Sequence, residues 1–161
     1  MNVFDFAMKI ELQGKAYYEN LSASAKIPGL RTIFSELAAD EQKHYDVLRG
    51  LKEGKTWEMA DSRVLEHARS VFSGLPGNKE VEAGLEEALD AYKLALKIEA
   101  DSVKLYEDMA KKEENPETMQ LYLSIANEEK KHYNIIENIC DFVMRPKYYL
   151  EWREFSNLQE L

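Results

Sequence analysis

Two stretches of this 161-residue chain recur at one ungapped offset of 88 residues. AMKIELQGKAYYENL, starting at Ala7, matches ALKIEADSVKLYEDM, starting at Ala95; LAADEQKHYDVL, starting at Leu37, matches IANEEKKHYNII, starting at Ile125. The offset pairs Glu11 with Glu99, Tyr18 with Tyr106, Pro28 with Pro116, Glu41 with Glu129, His44 with His132 and Tyr45 with Tyr133. Any two amphipathic helices share hydrophobic spacing, but that alone does not account for matched Glu, His and Pro at one ungapped offset. Two copies are too few for a solenoid. The repeat therefore asks for two copies of one helical hairpin.

Breaks at Gly and Pro divide the chain accordingly. Helices are predicted over about residues 3–25, 30–53, 83–113 and 117–143, with a short one over 61–72. The intervening sequence is rich in Ala, Leu, Glu and Lys and shows no strand alternation. The expectation is an all-α, ferritin-like four-helix bundle in a single domain. Its parts are a first hairpin (3–53), a long crossover (54–83), a second hairpin (84–143) and a C-terminal tail (144–161). That tail carries Tyr148, Tyr149, Trp152 and Phe155 and is expected to form a short helix.

With 30 acidic and 21 basic residues the net charge is −9, which speaks against nucleic-acid binding. No apolar run approaches the roughly 20 residues that cross a bilayer, and residues 1–10 lack signal-peptide form. The expected setting is soluble and cytoplasmic. A lone Cys140 excludes an intrachain disulfide or a Cys-x-x-Cys metal site.

The helical seams carry the chemistry. Intervals of three and four place Phe4, Ala7, Glu11, Gly14, Tyr18 and Leu21 on one face. The other three seams run through Glu41 and His44, through Glu99 and Ser102, and through Glu129 and His132. Each stripe is apolar except at mid-length. Four carboxylates and two imidazoles thus point at one level of the interior, with no Lys or Arg in the stripes. A buried unpaired carboxylate costs several kcal/mol. Two metal cations would offset four of them, and Glu-x-x-His places two donors on one helical face. The alternative, a hydrogen-bonded network without metal, is hard to build from acceptor-only carboxylates. Mixed oxygen and imidazole donors suit iron or manganese better than zinc.

KIELQGKAYYENL, ELAADEQKHYDVL, KIEADSVKLYEDM and IANEEKKHYNII resemble the rubrerythrin family over about residues 3–143. The resemblance implies two iron ions (or manganese, or a mixed pair) ligated by Glu11, Glu41, His44, Glu99, Glu129 and His132. Glu41 and Glu129 would bridge; Glu11 and Glu99 would be terminal. It also implies reaction with hydrogen peroxide or dioxygen in oxidative-stress defence, and a homo-oligomer such as a dimer. Two features depart from the family. Ser102 stands where rubrerythrins place an additional carboxylate, and its repeat partner is Gly14. The chain also lacks the cysteine pairs of a rubredoxin domain, so electrons must come from a separate rubredoxin-like protein or a small reductant.

Around this set, Tyr18 and Tyr106 are either core aromatics or phenols bonded to ligand carboxylates. Asp40 and Glu128 precede the Glu-x-x-His motifs and are placed to accept an imidazole N–H, with Glu128 read as the more solvated. Gly14 and Ser102 leave room for a small oxidant. His67 reads as a surface or packing residue and Cys140 as a buried small hydrophobe. The leading expectation is a non-haem di-iron oxidoreductase. Ferroxidase-type iron handling and a non-catalytic metal-dependent structural or sensing module are the alternatives.

Overall fold

The computed structural model describes residues 2–75 and 79–144. Among the described residues six helices follow in order: α1 (Val3–Ser24), α2 (Pro28–Lys52), α3 (Val64–Gly74), α4 (Lys79–Glu87), α5 (Leu89–Lys112) and α6 (Pro116–Met144). No strand occurs among the described residues. The expected C-terminal helix and its aromatic residues lie outside them.

Local chemistry sets the helix ends. Asn2 caps α1 by accepting from the Asp5 N–H at 2.9 Å, satisfying one of the free first-turn donors. Pro28 and Pro116 each open the second helix of a hairpin, where a missing N–H costs nothing. Gly54, at φ +84°, leaves α2 through the left-handed region that glycine enters without penalty.

The expected single helix over 83–113 is two helices. A turn at Ala88 (φ −102°, ψ 6°) separates α4 from α5, and no side chain caps the new start. The bend lets α4 pack on α6 as well as α5, and Leu85 is buried there. Burial of a leucine contributes about 2 kcal/mol, more than one lost helical bond costs.

Helices α1 and α2 pack as one hairpin and α5 and α6 as the other. The core has two apolar clusters. One gathers Tyr18, Leu30, Ile33, Phe34, Leu37, Ile136 and Ile139; the other gathers Ala7, Leu48, Tyr106, Leu121, Tyr122 and Ile125. Tyr18, Phe34 and Leu37 of the first are repeat partners of Tyr106, Tyr122 and Ile125 of the second. The hairpins are thus related by a pseudo-twofold that exchanges the bundle's ends, with a polar layer between the clusters. No described helix is long and apolar enough to cross a membrane.

Candidate metal centre

Each of the four long helices contributes to the polar layer from mid-length. Glu11, Glu41, His44, Glu99, Glu129 and His132 are all at most 3% exposed. They form two overlapping groups, Glu11–Glu41–His44–Glu129 and Glu41–Glu99–Glu129–His132, with donor atoms within 4.8 Å of one another in each. Glu41 and Glu129 belong to both.

The imidazoles face inward through Nδ1. His44 Nδ1 lies 3.3 Å from Glu11 Oε2 and 3.1 Å from Glu129 Oε1. His132 Nδ1 lies 3.1 Å from Glu41 Oε1 and 3.3 Å from Glu99 Oε1. Their Nε2 atoms face outward to carboxylates of the opposite hairpin: His44 to Glu128 Oε1 at 2.8 Å, His132 to Asp40 Oδ2 at 2.9 Å. An Nε2–H donated to a carboxylate fixes each ring with Nδ1 turned into the cluster, where the neutral form of the ring offers a lone pair.

The tyrosines cross the same way. Tyr106 Oη donates to Glu11 Oε1 at 2.6 Å, and Tyr18 Oη donates to Glu99 Oε1. Both phenols sit well above their ordinary pKa, first from burial and then from the neighbouring carboxylates. They therefore keep their protons and act as donors.

The charge balance of the cluster is poor by itself. Burial, then Glu11, Glu129 and Glu99, push the Glu41 carboxyl well up. Burial and Glu129 raise Glu99 to about 7. Burial alone would lower His44 and His132, but the surrounding carboxylates outweigh it and hold both well above the usual imidazole value. Four polar atoms here have no hydrogen-bond partner: Glu41 Oε1, Glu99 Oε2, Glu129 Oε1 and His132 Nδ1. Each such orphan costs about 1–3 kcal/mol. All four belong to the two groups, and oxygen and imidazole donors are the set that fits iron or manganese.

An outer layer completes the site. Lys43 Nζ lies 2.8 Å from Glu128 Oε1 and 3.8 Å from Asp40 Oδ1. From the crossover, Ser62 Oγ donates to Asp40 Oδ2 at 2.5 Å and the Ser62 N–H to Glu128 Oε2 at 3.2 Å. These contacts correct the solvated reading of Glu128, which is 4% exposed, because the crossover covers it. Both carboxyls are held below their usual range: burial opposes this, and the imidazole bonds and Lys43 overcome it. Sequence reasoning missed Lys43 and Ser62. The adjacency of Lys43 to His44 hinted at the first; nothing in the sequence marks the second.

Gly14 touches the cluster directly, since a Cβ there would stand 2.9 Å from Glu41 Oε2. Gly14 and Ser102 also line a cavity of about 380 Å³ between α1 and α5, walled by Ile10, Tyr17, Ile98 and Leu105. His67 lies apart from the site, exposed and 2.7 Å from Glu36. Cys140 is buried in the apolar core.

The family model described as Rubrerythrin matches residues 2–140. Neither a curated protein nor a solved structure matches the chain.

Proposed function

The chain belongs to the rubrerythrin family, and on that premise we propose that it is a di-iron oxidoreductase that reduces hydrogen peroxide or reacts with dioxygen. The observation that carries this reading is the pair of buried donor groups sharing Glu41 and Glu129. Glu11 and His44 would complete one half, Glu99 and His132 the other, with Glu41 and Glu129 spanning both. Iron (or manganese, or a mixed pair) bound there supplies the electrons and polarises the O–O bond.

The remaining work falls to side chains. Asp40 and Glu128 hold the imidazoles by Nε2–H, keeping each Nδ1 turned inward. Tyr18 holds its proton against Glu99 Oε1 and leaves Oε2 of the same carboxylate without a partner. Tyr106 fixes Glu11 likewise through Oε1. The two apolar clusters exclude bulk water from above and below, which strengthens every electrostatic interaction in the layer. The cavity between α1 and α5 offers a small neutral oxidant a largely apolar approach, with Gly14 in its lining and, without a side chain, close against Glu41. Ser102, where the family's additional carboxylate would stand, leaves that approach open.

The whole chain acts as one domain in this account, in the cytoplasm and as a homo-oligomer. A single cysteine gives these 161 residues no Cys-x-x-Cys metal site of their own, and their electrons come from a donor such as a rubredoxin-like protein. The test is an anaerobic ferrous load followed by addition of either oxidant, read by absorption and by retained iron. Rapid oxidation with two irons kept per chain is expected. Repeated turnover and release of added iron would assign the chain to iron handling instead. No reaction with either oxidant would leave a structural or sensing role and overturn the proposal.

A further inference from the structure

Among the described residues the crossover has no counterpart in the second hairpin, and it makes the two sides of the site unequal. Lys43 and Lys131 are equivalent by the 88-residue offset, each immediately before a histidine. Among the described residues Lys131 makes no ion pair, whereas Lys43 pairs with both Glu128 and Asp40. The difference comes from residues 60–62. Lys43 Nζ donates to the Ala60 carbonyl at 2.7 Å, which tethers the ammonium over the site. Its side chain is 22% exposed, against 5% for Glu128. One cation therefore stands behind both imidazole–carboxylate pairs, with Ser62 bonded to the same two carboxylates.

We propose that Lys43, anchored by the crossover, is a positioning residue that serves as common counter-ion to the His44–Glu128 and His132–Asp40 pairs and so sets the reduction potential of a metal centre held by those imidazoles. The proposal rests on the di-iron reading above. Two effects act in one direction. A carboxylate with no cation behind it pulls harder on Nε2–H and makes the imidazole a stronger electron donor, which favours the oxidised metal. Lys43 weakens that pull. Its fixed charge, little screened at this depth, also opposes the accumulation of positive charge on the metal. Both raise the potential. A lysine held merely for packing would do neither.

Three variants of the full chain separate these roles: Lys43→Met, Lys43→Arg and Lys131→Met. The first readout needs no metal. The Nε2–H proton signals of His44 and His132 should move downfield in Lys43→Met, return towards wild type in Lys43→Arg and stay in place in Lys131→Met. The second is a potentiometric titration of the iron-loaded chain. The midpoint should fall in Lys43→Met, recover in Lys43→Arg and remain unchanged in Lys131→Met. Wild-type values in Lys43→Met, or equal shifts in Lys131→Met, overturn the proposal. So does a folded Lys43→Arg that rescues neither readout. A wild-type chain that retains no iron defeats the di-iron reading and the redox half of this proposal, while the imidazole signals still decide whether Lys43 governs the two pairs.

Discussion

Replacing Gly14 by Ala turns a close approach of backbone to the cluster into a test with opposed signs. Gly14 lies mid-helix in α1, where Ala is ordinarily better by about 0.8–1 kcal/mol. If the position were only a piece of helix, Gly14→Ala would stabilise the chain by that amount. The added Cβ instead meets Glu41 Oε2 at 2.9 Å, and ordinary contact begins at 3.4 Å. The carboxylate must retreat by about half an ångström, comparable to the tolerance of a preorganised site. Overpacking of this kind costs about 1–3 kcal/mol. In the metal-free chain a carboxylate end can tilt, so the two effects offset and thermal stability should fall by about 0–2 kcal/mol. In the loaded chain Glu41 has nowhere to go, and metal affinity should drop at least tenfold. Thermal melts with and without ferrous or manganous ion give both numbers. A variant about 1 kcal/mol more stable than wild type, with unchanged affinity, would mean that Gly14 is only a piece of helix.

Other consequences can be checked alongside. Tyr106→Phe removes the hydroxyl that donates to buried Glu11 and should cost about 2 kcal/mol in a denaturant titration. Tyr18→Phe should match it, because the repeat places Tyr18 equivalently against Glu99; a silent pair would mean that these bonds do not hold the carboxylates. Phe34→Ala empties a fully buried site between Tyr18 and Tyr92 and should lose about 3–5 kcal/mol by thermal melt. The pH dependence also has a definite sign. Glu99 rises from 4.5 to about 7, by burial and Glu129, and Glu41 rises as well. A group whose folded pKa is raised stabilises below its unfolded value and loses that contribution as pH climbs through the folded one. The melting temperature of the metal-free chain should therefore fall between about pH 5 and 8, with Glu99 alone worth roughly 3 kcal/mol. Bound divalent ions take the place of those protons and should abolish the fall; a metal-free melt that is flat with pH would mean that burial does not raise these carboxyls.

The polar layer was legible because helical periodicity turns spacing into a shared face. Glu11, Glu41, His44, Glu99, Glu129 and His132 each interrupt an apolar stripe at the same depth, and the repeat doubles the signal. Partner choice was not legible. That Tyr18 bonds Glu99, and Asp40 bonds His132, depends on how one hairpin docks on the other, which local pattern does not encode. The burial of Glu128 was missed for a related reason: the segment covering it, around Ser62, has no periodicity to read. The bend at Ala88 carries no Gly or Pro, and arises because Leu85 gains more from the core than a straight helix would preserve. Features fixed by local pattern could be read in advance; those fixed by tertiary docking could not.

In the proposed centre four carboxylates and two imidazoles make one site for two ions. Anaerobic titration of the metal-free chain with ferrous ion, with bound metal counted per chain, tests it most directly. Saturation at two ions per chain is expected, with loss of both in Glu41→Ala and in Glu129→Ala, because each residue serves both halves. Saturation at one ion or none, or two ions retained after removal of either shared glutamate, would contradict it.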